Sequence, residues 1–237
     1  MEPSQGCGVT VLRCHAVLFD CDGVLVDSDA SVISAWSRWA RSLGLEPDVV
    51  NSLVHGRRST ETVTLLIPKA RRVEELARID RYEVEDSASV RAIAGAHALL
   101  ESIPRHRWAV VTSGRRELAS TRLCAAQLPF PAILVTAEDV THGKPDPEGY
   151  RIAAERLGHS TNNAVVIEDA PVGIQAAKAA GAGAIIGVGK RAADAGANLL
   201  VPDLRSLRWT GDGLQVTGPT MNPVPNLLTD QPHRSLH

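Results

Sequence analysis

The sequence predicts an α/β fold, a doubly wound parallel sheet with an all-helical segment inserted near its start. Three observations predict it. Short runs that are apolar throughout, Ala16 to Phe19, Trp108 to Val111, Ala164 to Ile167 and Ala184 to Val188, read as strands buried on both faces. Stretches with helical spacing separate those runs, and strands alternating with helices imply parallel pairing through right-handed crossovers. Between Ser28 and Ala92 the apolar residues recur at helical spacing only, so this block stands apart from the sheet.

Taken in order, residues 1–14 are rich in Gly, Ser and Cys and are expected to be a flexible N-terminus. After the strand at Ala16 to Phe19, Ser28 is placed to cap a helix whose apolar positions are Val32, Ile33, Trp36, Trp39, Ala40 and Leu43, and Gly44 ends it. Three shorter helices follow, around Val49 to Val54, Thr62 to Leu66 and Val73 to Ile79. The sheet pattern resumes with a helix at Gly95 to Ser102, the strand at Trp108, a helix from Glu117 to Gln127 and a short strand at Ala132 to Val135. A helix from Glu148 to Leu157 leads into the strand at Ala164. Pro171 opens a helix at Val172 to Ala180, Gly181 closes it, and the strand to Val188 follows. Leu204 to Trp209 and Leu214 to Thr217, joined by Thr-Gly-Asp-Gly, read as a terminal hairpin. Residues 218–237 carry four prolines with little periodicity and are expected to be disordered. The core is therefore a Rossmann-like sheet built from 15–27 and 93–217, with a helical insert over 28–92.

Composition narrows the function. The chain has 237 residues, with Lys+Arg 25 against Asp+Glu 27 and a formal charge of -2, which argues against a general nucleic-acid binder. Two Phe and two Tyr leave little for stacking bases. No apolar run reaches the length of a membrane span and no basic-then-apolar leader opens the chain, so a cytoplasmic protein without a membrane partner is expected. Cys7, Cys14, Cys21 and Cys124 form no CxxC pair and are read as free thiols of a reducing compartment.

The chemistry starts at Asp20-Cys21-Asp22-Gly23. Two carboxylates sit one residue apart at a strand end, and Gly23 permits the sharp turn that lets both converge on one site. Such a pair is costly unless a cation lies between its members. Three further groups follow in order, each at or just after the end of an apolar run: Thr112-Ser113-Gly114, Lys144-Pro145-Asp146-Pro147 and Glu168-Asp169. All fall on the carboxyl edge of the sheet, where open α/β folds bind ligands. With the four groups present, the sequence resembles the haloacid dehalogenase superfamily. It is most similar to the branch holding sugar- and polyol-phosphate phosphatases and β-phosphoglucomutase-like enzymes, over roughly His15 to Thr217.

That resemblance implies a Mg²⁺-dependent phosphatase working through an aspartyl-phosphate. Asp20 is the implied nucleophile, and Asp22 the acid that protonates the leaving alkoxide and then deprotonates water. Attack by a carboxylate on a phosphate dianion meets like-charge repulsion, so neighbouring positive charge is needed; Lys144 is placed to supply it. Thr112, Ser113 and Gly114 offer a hydroxyl and backbone N–H groups for the phosphate. Arg115 is either a further phosphate contact or an exposed helix-start residue. Oxygen-only ligands select a hard cation, and the resemblance assigns Asp20, Asp169, the backbone carbonyl of Asp22, and Glu168, directly or through water. No basic residue stands beside Glu168-Asp169 in the sequence, and Asp169 is also suited to cap the helix at Pro171.

In the family the insert covers the site. Here the loop His55-Gly56-Arg57-Arg58 carries donors suited to the hydroxyls of a small sugar or polyol monophosphate. The other histidines considered, His97, His106, His159, His233 and His237, are read as surface or packing residues, and Trp36 and Trp39 as packing. Two positions bear on the reaction. Val24 stands where phosphatases often carry Thr and many mutases carry Val. Val32 stands where β-phosphoglucomutase-like members carry a His. Trp108-Ala-Val-Val-Thr-Ser-Gly, Thr136-Ala-Glu-Asp-Val and Glu168-Asp-Ala-Pro resemble the phosphatase branch. A phosphatase is therefore the first reading, a sugar phosphomutase the second, and a catalytically idle binding protein the third, opposed by the completeness of the motifs. A monomer is expected, with a dimer as the alternative.

Overall fold

The structure is a computed structural model that describes residues 9–218. Its centre is a six-stranded parallel sheet of β2 (Ala16–Phe19), β5 (Trp108–Val111), β6 (Leu134–Val135), β7 (Ala164–Glu168), β8 (Ala184–Val188) and β9 (Leu199–Val201), in the order β6-β5-β2-β7-β8-β9. β2 lies between β5 and β7 and pairs with both in parallel. Every residue of β2, β5, β7 and β8 is buried, which is why these strands read as continuous apolar runs.

Alternate residues of each strand feed opposite layers. Val17, Phe19, Val110 and Ile167 face α5 (Ala96–Ser102) and α6 (Arg116–Ala125) through Leu99, Ala119 and Leu123. Leu18, Ala109 and Val166 face α7 (Glu148–Arg156) and α8 (Pro171–Ala180) through Tyr150, Ala153 and Ile174. Helices thus cover both faces and leave the carboxyl ends of the strands as the open edge.

A two-stranded antiparallel ribbon, β3 (Val26–Asp27) with β4 (Arg91–Ala92), joins this core to α1 (Asp29–Ser42), α2 (Pro47–Asn51), α3 (Ser59–Leu66) and α4 (Arg72–Glu85). Those four helices bury their own apolar cluster, with Trp36 and Trp39 at its centre, edge to face with ring centroids 5.4 Å apart. Both indoles are packing groups, as expected.

The N-terminal expectation needs correction. Val9–Arg13 form a strand, β1, paired antiparallel with β11 (Gly213–Thr217) over five residues, and β11 in turn pairs with β10 (Leu207–Trp209). A hairpin leaves one edge of unmade backbone hydrogen bonds, and Val-Thr-Val-Leu-Arg, 200 residues away in sequence, fills it. Residues 1–8 and the tail from 219, expected to be disordered, lie outside the described residues. β9, unanticipated, completes the sheet beside β8. No described helix is long and apolar enough to cross a membrane. Cys14, Cys21 and Cys124 are free thiols.

Candidate active site

Asp20 follows the end of β2, donates its N–H to the Ile167 carbonyl of β7 at 2.9 Å and is buried. The chain then turns at once. Cys21 O accepts from Leu25 N and Val26 N, Gly23 N donates to Val26 O, and Gly23 has φ +77°. A Cβ at Gly23 would fall 2.1 Å from Asp169 Oδ2, so only glycine permits this approach. The turn brings Asp22 back to the same edge, where its Oδ1 accepts from Ser28 Oγ at 2.6 Å and from Arg122 Nη1 at 2.8 Å. Ser28 therefore begins α1 without a side-chain cap; its hydroxyl serves Asp22 instead.

Lys144 Nζ is buried between carboxylates. It contacts Asp20 and lies 2.6 Å from Glu168 Oε1 and 3.3 Å from the Val111 carbonyl. Tyr150 donates its hydroxyl to the same Glu168 oxygen at 2.9 Å. Glu168 Oε2 accepts from the N–H groups of Asp169 and Ala170, so Glu168 is the residue that satisfies the backbone at the start of α8, and Asp169 makes no cap. Instead Asp169 Oδ2 accepts from Arg191 Nη2 at 2.6 Å, while Arg191 Nη1 reaches Asp29 at 2.6 Å. The basic partners missing beside Glu168-Asp169 in sequence are thus supplied by tertiary contacts.

The carboxylates of Asp20, Glu168 and Asp169 each present an oxygen within 4.8 Å of the others, all three residues buried. Burial pushes the Asp20 carboxyl well above the ordinary range; Lys144 opposes this, and Glu168, Asp169 and Asp22 reinforce it. Burial, then Glu168, raises Asp169 to about 7 against the pull of Arg191. Burial disfavours the Lys144 charge, but Asp20 and Glu168 outweigh it and hold the ammonium well above its usual value. Three buried carboxylates crowded this closely, with the carboxyls of Asp20 and Asp169 both raised, are a donor set that a hard divalent cation fits, because it neutralises them together. The Asp22 carboxylate stands outside the trio, engaged with Arg122 and Ser28.

Thr112, Ser113 and Gly114 lie at the end of β5 beside Asp20. Gly114 N donates to Thr112 Oγ1 at 3.0 Å, and Ser113 Oγ donates to the Gly56 carbonyl of the insert at 2.9 Å. These residues, with Asp20, Asp22, His55, Gly56, Arg57 and Val32, enclose a chamber of about 60 Å³. Burial, followed by the Arg191 charge, lowers the pKa of His55. Arg58 does not join the chamber. It sits at the start of α3, where its guanidinium folds back onto Glu61 at 2.8 Å and reaches the Thr141 carbonyl at 3.2 Å. Arg115 is likewise an exposed residue at a helix start, paired with Asp80 and Glu138.

Sequence reasoning missed Arg122, Glu83 and Arg191, all of which line the chamber. Signals existed. Arg122 occupies the buried stripe Leu118, Ala119, Arg122, Leu123 of α6, and Glu83 the stripe Glu75, Ile79, Glu83 of α4. Arg191 follows β8 at the same sheet edge as the recognised groups.

The haloacid dehalogenase-like hydrolase family model matches residues 14–181, well over half of the chain. Hexitol phosphatase A of Escherichia coli (strain K12) is 39% identical over 175 residues, covering 72% of this chain and 81% of the relative. A 2-deoxyglucose-6-phosphate phosphatase of Saccharomyces cerevisiae is 34% identical over 216 residues, covering 79% and 87%. Among solved structures, β-phosphoglucomutase from Clostridium difficile shares the fold with TM-score 0.73 at 22% identity, covering 83% of this chain and 94% of that one. With its motifs gathered at one sheet edge and the family model spanning them, the chain belongs to the haloacid dehalogenase-like hydrolases.

Proposed function

We propose that this phosphoric monoester hydrolase acts on small sugar or polyol phosphates, in two steps through an aspartyl-phosphate on Asp20. The observation that carries the reading is Asp20 itself, buried at a strand end in contact with the Lys144 ammonium and beside a second acid, Asp22, that is tied into a different network. Two acids in such different surroundings suit two roles. In the first step an Asp20 carboxylate oxygen attacks phosphorus, the bond to the leaving alcohol breaks, and Asp22 gives that oxygen a proton. In the second, Asp22 takes a proton from water as it attacks phosphorus, and the bond to Asp20 breaks to release inorganic phosphate.

Lys144 supports both steps by offsetting charge beside Asp20. Thr112, Ser113 and Gly114 would receive phosphate oxygens, with Ser113 Oγ and Gly114 N exchanging their present acceptors for them. Asp20, Glu168 and Asp169 would hold Mg²⁺, which supplies electrostatic stabilisation of phosphate charge. The names of the two curated relatives support a phosphorylated sugar or polyol as substrate. Val32 supports water as the acceptor, since it presents an apolar group to the chamber where a mutase-like reaction would need a group to receive a sugar hydroxyl proton.

A panel of phosphate monoesters with Mg²⁺, scored for released phosphate and for isomerised product, tests this. Phosphate is expected from hexitol and hexose phosphates, and Asp20→Asn is expected to lower turnover by a factor of about 10² or more. Rapid conversion of β-glucose 1-phosphate to glucose 6-phosphate would favour the mutase instead, and no turnover of any ester would favour a binding protein.

A further inference from the structure

We propose that Arg122 is a positioning residue for Asp22, and that Glu83 of the helical insert holds Arg122 in place. This rests on the acid–base role proposed for Asp22. The Arg122 side chain, in the last turn of α6, is 3% exposed, and a guanidinium is costly to bury unless its charge is paired. It is paired twice, and divergently. Nη1 donates to Asp22 Oδ1 at 2.8 Å, and Nη2 donates to Glu83 Oε1 at 3.2 Å. The other Glu83 oxygen accepts from Ser59 Oγ at 3.1 Å, so the glutamate is itself anchored within the insert.

The consequence for Asp22 is asymmetric. Both of its hydrogen-bond donors, Arg122 and Ser28, fall on Oδ1. Two partners on one oxygen fix the plane of the carboxyl and leave Oδ2 with no donor among the described residues. Arg122 thereby sets which oxygen is left to meet the leaving group. Because Glu83 comes from α4, this arrangement is complete only while the insert is packed against the core.

Leaving-group dependence tests the inference. A 2-deoxyglucose 6-phosphate alkoxide must be protonated as it departs, whereas p-nitrophenolate leaves unaided, and kcat/KM reports on that first step. In Asp22→Asn, kcat/KM should fall at least about tenfold further on the alkyl ester than on the aryl ester. Arg122→Met should show the same selective loss, and Glu83→Gln a smaller one in the same direction. Equal losses on both esters in Arg122→Met and Glu83→Gln, with Asp22→Asn still selective, would overturn the positioning role alone. An unselective Asp22→Asn would instead overturn the acid–base role on which it rests. Should Arg122→Met fail to fold, Glu83→Gln decides: selective loss supports the inference and unselective loss sinks it.

Discussion

Lys144 Nζ lies 2.6 Å from Glu168 Oε1, and the same ammonium contacts Asp20 on its other side. One cation thus serves two acids that are nearly out of reach of water. Breaking a buried pair by deleting one partner costs about 3–5 kcal/mol, because the remaining charge is left without compensation. Lys144→Met is therefore expected to lower Tm by on the order of 10 °C in a domain of this size. It should also reduce phosphate release by about 10² or more. A variant keeping half the wild-type rate would contradict the assignment.

Metal binding should compete with protons at Asp169. Its carboxyl is raised to about 7, first by burial and then by Glu168, from an ordinary 3.8. In the metal-free protein the folded state then holds this proton more tightly than the unfolded one. Its contribution to stability falls as pH rises from about 4 to about 7. Mg²⁺ favours the ionised form, so the Tm increase on adding it should be larger at pH 8 than at pH 5.5. Equal increases at the two pH values, or full activity after exhaustive EDTA treatment, would count against Mg²⁺ at this trio.

The two arginines of the insert loop should separate. Arg57 lines the chamber, whereas Arg58 is spent on Glu61 and the Thr141 carbonyl. A charge-assisted hydrogen bond is worth about 1.5–3 kcal/mol, roughly ten- to hundredfold in kcat/KM. Arg57→Ala should lose that factor on sugar phosphates but not on p-nitrophenyl phosphate. Arg58→Ala should affect both esters alike. The reverse pattern in steady-state kinetics would show that the loop reads substrate through Arg58.

Gly56 of the insert lies close against the start of α8 in the core. It has φ +77°, and a Cβ there would stand 2.6 Å from Val172 Cγ2 and 2.9 Å from the Ala170 Cβ. Gly56→Ala should cost about 1 kcal/mol in backbone strain. The larger effect should be on catalysis, since the insert must back away from the start of α8. A roughly tenfold or greater fall in kcat/KM with only a few degrees of Tm change is expected. Unchanged kinetics would mean that this contact does not set the geometry of the chamber.

The sequence by itself determined the buried strands, because continuous apolar runs at β2, β5, β7 and β8 follow directly from covering a sheet on both faces. It also determined the acids at their ends, the Gly23 turn and the helical character of the insert, since each depends on a few neighbouring residues. Tertiary structure decided the pairings. Asp22 meets Arg122 across 100 positions of chain, and Asp169 meets Arg191 across 22. β1 joins β11 from the opposite end of the described chain. Arg57 and Arg58 are adjacent and identical in kind, yet one faces the chamber and the other a glutamate three residues on. Local periodicity says which side of an element is buried, but the partner a buried charge finds there depends on which other elements pack against it, and that is settled only when the chain closes on itself.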